Sequence, residues 1–345
     1  MSSETKSRWK SVLRWLPGVL ISAIALYAVF RFAQIKDFKK ALETASWQFI
    51  LLVCLGLVFS TMIRGKAWKT ILGNGVKWGP AFFGVSEGYF INNIFPLRAG
   101  EIARSIFMGR SSGLGMFHVL STIVIERAFD IAIAAIMVLS TLPLVVGLAW
   151  VKTVAMIALV IVVAMLFGLF LIAQNREKVS GWVERFSSKF KILDKYVAPQ
   201  INKLMDGLST LTNPVQFLLS FFWIALTWLV WAAVYDLLVW QLVPGAPWWA
   251  GVFVGSVLAL GVAIPSAPAA VGVYEASMTA ALVIVGANES MALVYAILIH
   301  VLQFTISMIL GLWGLIRDGQ SFSKLQADLR FGQNAQNLTD TETKE

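Results

Sequence analysis

The chain alternates long apolar stretches with short polar ones. Hydrophobic runs fall at about 15–33, 47–62, 79–95, 117–148, 150–173, 215–243, 248–264, 269–286 and 290–316. A helix needs roughly 20 apolar residues to cross a hydrocarbon core of about 30 Å, and the short alternating segments of a membrane β-barrel are absent. Six runs are read as full spans: 15–33, 47–62, 117–148, 150–173, 215–243 and 290–316. Two stretches are interrupted instead. The run 79–95 carries Glu87, Asn92 and Asn93 and stops at Pro96, and the region 248–286 is broken by Pro265 and Pro268. One long polar region, 174–213, repeats Trp182, Phe186, Phe190, Leu193 and Val197 at helical spacing, the pattern of a helix lying on the membrane surface.

Composition narrows the class. Of 345 residues, 58% are hydrophobic and 14% charged, with a mean hydropathy of +0.75, which excludes a water-soluble globule and predicts an all-α polytopic membrane protein. The formal charge of +9 reflects basic loops facing anionic lipid, and nucleic acid is not the expected partner. Cys54 is the single cysteine and His118 and His300 are far apart, so neither a disulfide, a metal site nor a cofactor is expected. No small-residue cleavage site follows 15–33, which reads as a retained span.

Charge then orients the runs. Lys6, Arg8, Lys10 and Arg14 precede the first, and Arg64, Lys66, Lys69 and Lys77 follow the second, as a cytoplasmic loop would. If 79–95 crossed fully, the seven Lys/Arg of 174–213 would lie outside. A re-entrant dip instead puts every basic loop and both termini in the cytoplasm of a cell membrane. The expected plan is a cytoplasmic segment 1–14, a membrane repeat 15–148 with re-entrant 79–115, and a second repeat 150–316. The second repeat holds amphipathic 174–213 and re-entrant 248–286, and a cytoplasmic tail 317–345 follows it. The breaks resemble each other, Pro96-Leu-Arg-Ala-Gly100 matching Pro268-Ala-Ala-Val-Gly272, so Pro96, Gly100, Pro268 and Gly272 are candidate hinges. Three crossings per half would invert the second repeat relative to the first, with both breaks enclosed by protein near the midplane.

Two constellations carry candidate chemistry. In the first, a helix beginning near Ala99 carries Glu101 in its first turn, with Arg98 and Arg104 three residues to either side and Asn92 and Asn93 just before the break. Two arginines beside a helix N-terminus suit a phosphate, which guanidinium binds bidentately; the alternative is a turn whose Arg–Glu pairs satisfy each other. In the second, Glu126, Arg127 and Asp130 lie in an apolar run, where a lipid-facing charge costs about 2.5–3.5 kcal/mol, so they are expected to face inward and pair with Arg98 or Arg104. Glu275 follows the second break and reads either as a proton-titrating carboxylate in apolar surroundings or as a helix-cap acid. Asp236 and Glu87 are further intramembrane acids, and His300 and Gln303 are expected to hydrogen-bond between helices.

The block from Gly88 to Arg104, followed by Glu126-Arg127-x-x-Asp130 and preceded by Arg64 and Trp68, resembles the lysylphosphatidylglycerol synthase transmembrane-domain family, also described as flippase-like or UPF0104 membrane proteins. Pro268–Glu275 is similar to that family's second motif, a Pro-Gly-Gly-x-Gly-x-x-Glu run, except that Ala269 and Ala270 stand where paired glycines are usual. The resemblance implies a membrane domain that moves lipids or lipid-linked head groups between leaflets. The synthases carry a soluble aminoacyl-transferase domain after the membrane part; this chain ends about thirty residues past its last span, so lysyl transfer is not expected of it. The reading that follows is a flippase for a phosphate-bearing lipid. Arg98, Arg104, Asn92, Asn93, Glu101, Arg64 and Arg127 would form the binding site, and Glu275, Glu126, Asp130 and Asp236 are candidates for proton coupling. An intramembrane lipid-modifying enzyme and a non-catalytic subunit of a cell-envelope lipid pathway are the alternatives.

Overall fold

The computed structural model describes residues 45–73, 75–95, 98–187, 212–264 and 266–319; the run 15–33, most of 174–213, the tail beyond 319 and the hinge residue Pro96 lie outside them. The ordered elements are α1 (Trp47–Leu72), α2 (Trp78–Ile94), α3 (Ala99–Ser112), α4 (Met116–Val146), α5 (Ala149–Gln174), α6 (Arg176–Ser187), α7 (Pro214–Leu242), α8 (Ala250–Ala263), a 3-10 turn (Pro268–Ala270), α9 (Val273–Ile284) and α10 (Glu289–Arg317). Five of them, α1, α4, α5, α7 and α10, are long and apolar enough to cross a membrane, and the protein is an all-α polytopic membrane protein. Side-chain caps start three of these five. Ser46 accepts from the Phe49 N–H, Asn213 from Val215 just behind Pro214, and Asn288 from Met291.

One expected boundary is corrected. Residues 63–72, read as the start of a basic loop, continue α1 for more than two turns, and Arg64 is buried rather than exposed to the cytoplasm. Its partners lie more than sixty residues away on α4, beyond the reach of local pattern.

Both interrupted stretches fold as helical hairpins. At 1.5 Å per residue, α2 and α3 reach only about 25 and 21 Å, and α8 and α9 about 21 and 18 Å, all short of the hydrocarbon core. Their arms touch closely. A Cβ on Gly100 would stand 2.0 Å from the Gly88 carbonyl oxygen, and one on Gly261 would stand 1.9 Å from Ser277 Oγ. Glycine is required at each crossing because nothing larger fits.

The packing is reciprocal. α1 lies along α7; α2 packs on α10 as α8 packs on α4; α3 packs on α4 as α9 packs on α10. This is the pattern a twofold internal repeat produces when each hairpin leans on a long helix of the other half. The helix starts align in a register other than the one the glycines suggest. Arg98 and Gly272 are the N-cap residues of α3 and α9, and Glu101 and Glu275 each occupy the third helical position. By helix starts, Arg98 and not Gly100 aligns with Gly272.

Both breaks hold left-handed residues other than glycine. Arg98 has φ 54°, and Ala269 and Ala270 have φ 57° and 56°. Non-glycine residues in this region cost on the order of 1–3 kcal/mol each and persist only where the surroundings dictate the conformation. The alanines thus occupy a glycine-type backbone.

The interface between the halves generates an expected outcome. A Cβ on Gly311 of α10 would meet Phe90 Cβ at 2.3 Å and the Ser86 carbonyl oxygen at 2.5 Å, whereas Gly168 of α5 has open space around it. Gly311→Ala should destabilise the protein by about 1–3 kcal/mol through overpacking. Gly168→Ala should leave the thermal unfolding midpoint in detergent unchanged or slightly raised.

Candidate functional site

Four helices bring together the charges that the sequence scatters. Arg64 on α1 donates from Nε to Glu126 Oε1 at 2.8 Å and from Nη1 to Asp130 Oδ1 at 2.6 Å, with Nη2 bridging both carboxylates. Arg104 on α3 donates from Nη2 to Glu126 Oε2 at 2.8 Å, and its guanidinium lies 3.9 Å from the centre of the Trp68 ring. Trp68 is fixed in turn by donating from Nε1 to Thr122 Oγ1 at 3.1 Å. Arg127 meets Glu126 at 3.0 Å, Asp130 at 3.2 Å and Glu101 at 3.3 Å. Trp228 of α7 closes the cluster, donating from Nε1 to Asp130 Oδ1 at 3.0 Å.

Glu126 and Asp130 share a face because they are four residues apart on α4, as their spacing predicts. The cross-cavity pairing expected for Arg104 is present. For Arg98 it is not: its guanidinium lies 4.0 Å from Glu101 and donates from Nη2 to the Val262 carbonyl at 3.3 Å, at the end of α8. The two arginines expected to flank a phosphate thus differ in their surroundings. Arg104 is buried and committed to Glu126, while the Arg98 side chain is 48% exposed. Asn92 accepts from the Gly100 N–H at 2.8 Å, capping α3, and Asn93 donates to Ser307 Oγ of α10 at 2.6 Å. Arg64, Arg98, Arg104 and Arg127 face Glu101, Glu126 and Asp130, which leaves one formal positive charge, and Arg98 is the exposed member that carries it.

These residues border a cavity of about 810 Å³ between the two halves. Both breaks reach it. Arg98, Glu101 and Asn92 come from the first, and Ser266, Ala269 and Ala270 from the second. Its lining also includes apolar side chains, among them Leu57, Ile131, Leu258, Ile306 and Leu310.

At the second break, Glu275 is a cap and something more. Its Oε2 accepts from the Gly272 N–H at 2.6 Å, and its Oε1 lies 2.7 Å from His300 Nδ1. Both oxygens have polar partners, so Glu275 is not the isolated carboxylate in apolar surroundings that the sequence suggested. His300 Nε2 lies 3.0 Å from the Ala269 carbonyl oxygen, and Tyr274 stacks on the imidazole with ring centres 4.1 Å apart. Tyr274 also donates to Gln303 Oε1 at 3.0 Å.

Two other acids fall elsewhere. Asp236, expected as a coupling acid, accepts from the Gly251 N–H at 2.7 Å and so caps α8 from the neighbouring α7. A Cβ on Gly251 would strike that carboxylate, which fixes glycine there. Glu87 is buried on α2 against Gly314 and does not line the cavity, and its Oε1 has no hydrogen-bond partner among the described residues. Sequence reasoning missed Trp228 as a ligand of Asp130. Its only signal was a tryptophan in mid-span, which it shares with Trp223 and Trp231 of the same helix.

Comparison with known proteins bears on this arrangement. A family model described as the lysylphosphatidylglycerol synthase TM region matches residues 15–311. A UPF0104 membrane protein of Methanocaldococcus jannaschii is 27% identical over 120 residues, covering 33% of this chain and 36% of that relative. The chain thus matches about a third of that relative's length.

The cluster's own role is testable. A buried ion pair that loses one partner leaves an uncompensated charge, at a cost of about 3–5 kcal/mol. Glu126→Gln should therefore lower unfolding stability in detergent by that order, and Arg64→Ala and Arg104→Ala should do likewise. The double variant Glu126→Gln/Arg64→Ala should lose less than the sum of the two, which chemical denaturation can measure.

Proposed function

The chain belongs to the lysylphosphatidylglycerol synthase TM-region family, and from that premise we propose that it carries a phosphate-bearing lipid, or a lipid-linked head group, between the leaflets of the membrane. Membership makes it a membrane protein of lipid metabolism or transport. The flipping itself is our reading. One observation carries it: a cavity of about 810 Å³ lined by both charged and apolar side chains, bordered by both helical hairpins. Such a cavity suits a molecule with an ionic head and hydrocarbon tails.

In this reading, the phosphate sits beside Arg98, whose guanidinium is exposed to the cavity and left without a full-strength carboxylate partner. Arg64, Arg104, Arg127, Glu101, Glu126 and Asp130 hold the wall in place. The tails stay along the apolar side chains. The two halves, as inverted repeats, rock about α1 and α7 to expose the cavity alternately, and the breaks absorb the motion at Gly100, Pro268 and Gly272. Glu275 is the candidate for proton coupling, since it is the acid at the second break. We place the protein in the cell membrane with both termini and 174–213 cytoplasmic. The enzyme alternative has less support, because Glu126 and Asp130 are held by arginines and not free to act as general base.

Proteoliposomes test this. The purified protein should speed transfer of a fluorescent phospholipid to the outer leaflet and return it chemically unaltered. Arg98→Gln should lower that rate by roughly tenfold or more, the equivalent of one charge-assisted hydrogen bond, while unfolding stability stays the same. Equal rates with and without protein would overturn the proposal.

A further inference from the structure

His300 joins three segments. It sits on α10, touches the first turn of α9 through Glu275 and reaches the turn between α8 and α9 through the Ala269 carbonyl. The imidazole is buried and clamped against Tyr274, so it cannot swing to other partners without moving that ring. Ala269, the residue it holds, is one of the two left-handed alanines.

Counting protons constrains this bridge. A carbonyl oxygen only accepts, so Nε2 must carry a hydrogen to bond Ala269. A second proton must then lie between Nδ1 and Glu275 Oε1, on either atom, for those two to approach within 2.7 Å. With that proton present, the pair is neutral overall and the bridge is complete. With it gone, the neutral imidazole has one proton for two acceptors: on Nδ1 it keeps Glu275 and leaves an Nε2 lone pair facing the Ala269 carbonyl, and on Nε2 it leaves Nδ1 facing the carboxylate, so the bridge cannot be complete. The proton belongs to the pair rather than to either residue.

We propose that the Glu275–His300 pair is a proton-responsive latch: its shared proton ties the 266–272 turn to α10, and release of that proton frees the turn to move. The turn is poised for this. Two left-handed alanines store local strain that the bridge helps to hold, and 266–270 borders the cavity. The titratable groups around the imidazole are Glu275 and Tyr274 from α9 and, behind Tyr274, Tyr235 from α7, whose hydroxyl bonds that of Tyr274. Across the cavity stand Tyr89 of α2 and Arg98 at the first break. Glu275 is the group in direct contact with Nδ1. His300 thereby acts as a positioning residue that sets where the second break lies, and Glu275 acts with it rather than alone. The inference builds on the transport reading for its meaning, but it concerns the movement of the turn and is read without any lipid.

The test uses the full-length protein with Cys54→Ala and Ser266→Cys, labelled by a small maleimide between about pH 6 and 8 in detergent. Thiol ionisation itself accelerates labelling as pH rises, so the same cysteine in a His300→Gln background supplies that baseline. With His300 present, the rate relative to this baseline should rise about tenfold across the range, as a turn closed most of the time becomes largely open. Glu275→Gln donates permanently to Nδ1 and should hold the turn closed, giving a low rate whose pH profile follows the thiol alone. A His300 protein whose profile parallels that of His300→Gln would overturn the latch. So would a Glu275→Gln protein that still shows the extra rise. Either result can occur whether or not the proteoliposomes transport lipid, which keeps the two proposals separable.

Discussion

A guanidinium inside a membrane protein must be matched by carboxylates that are themselves buried, and Arg64 sets that constraint for this fold. It sits within α1, where solvent cannot reach it, and two acids on α4 surround it. Once Glu126 is committed there, its second oxygen is the natural partner for Arg104, and that contact draws the α2–α3 hairpin against α4. Arg127 then ties in Glu101 at the start of α3. Each added charge is tolerable only because the previous one is in place. The result is a rigid wall in which one cation, Arg98, is left facing the cavity.

The two halves share a plan but differ in chemistry. The first break is braced by four arginines and three carboxylates, interactions that change little with pH near neutrality because arginine does not deprotonate. The second break has a single carboxylate and an imidazole in contact at 2.7 Å. In the proposed carrier, the arginine-braced break would keep the head-group site intact while the Glu275–His300 break would change the shape of the cavity. Ala269 and Ala270 fit this division, because left-handed alanine is less free than glycine and needs the His300 contact to stay where it is.

Much of the fold was legible in the sequence. Apolar runs of the right length gave four of the five membrane helices to within a few residues and the fifth, α1, at its start only, and the Pro-containing breaks marked both hairpins, because hydrophobicity and helix breakers are local properties. Charge spacing on α4 gave the shared face of Glu126 and Asp130. What local pattern misses is partnership. Arg64 looked like the start of a basic loop since nothing within a few residues hints at acids more than sixty positions away. Asp236 looked functional because an acid in a span stands out, whereas its partner is a backbone N–H on the next helix. Arg98 and Arg104 looked equivalent in sequence, yet burial separates them into an exposed cation and a structural one.

The central claim is that Arg98 holds a phosphate-bearing head group in the cavity, and ligand-induced thermal stabilisation reads it most directly. A short-chain phosphodiester lipid added to the purified protein in detergent should raise its unfolding midpoint in a concentration-dependent way, since a ligand that binds only the folded state stabilises it by mass action. A diacylglycerol with the same chains should not. In Arg98→Gln the unliganded midpoint should be unchanged and the lipid-dependent rise should vanish. Equal stabilisation of the parent and Arg98→Gln proteins, or equal stabilisation by the phosphate-free lipid, would contradict the account.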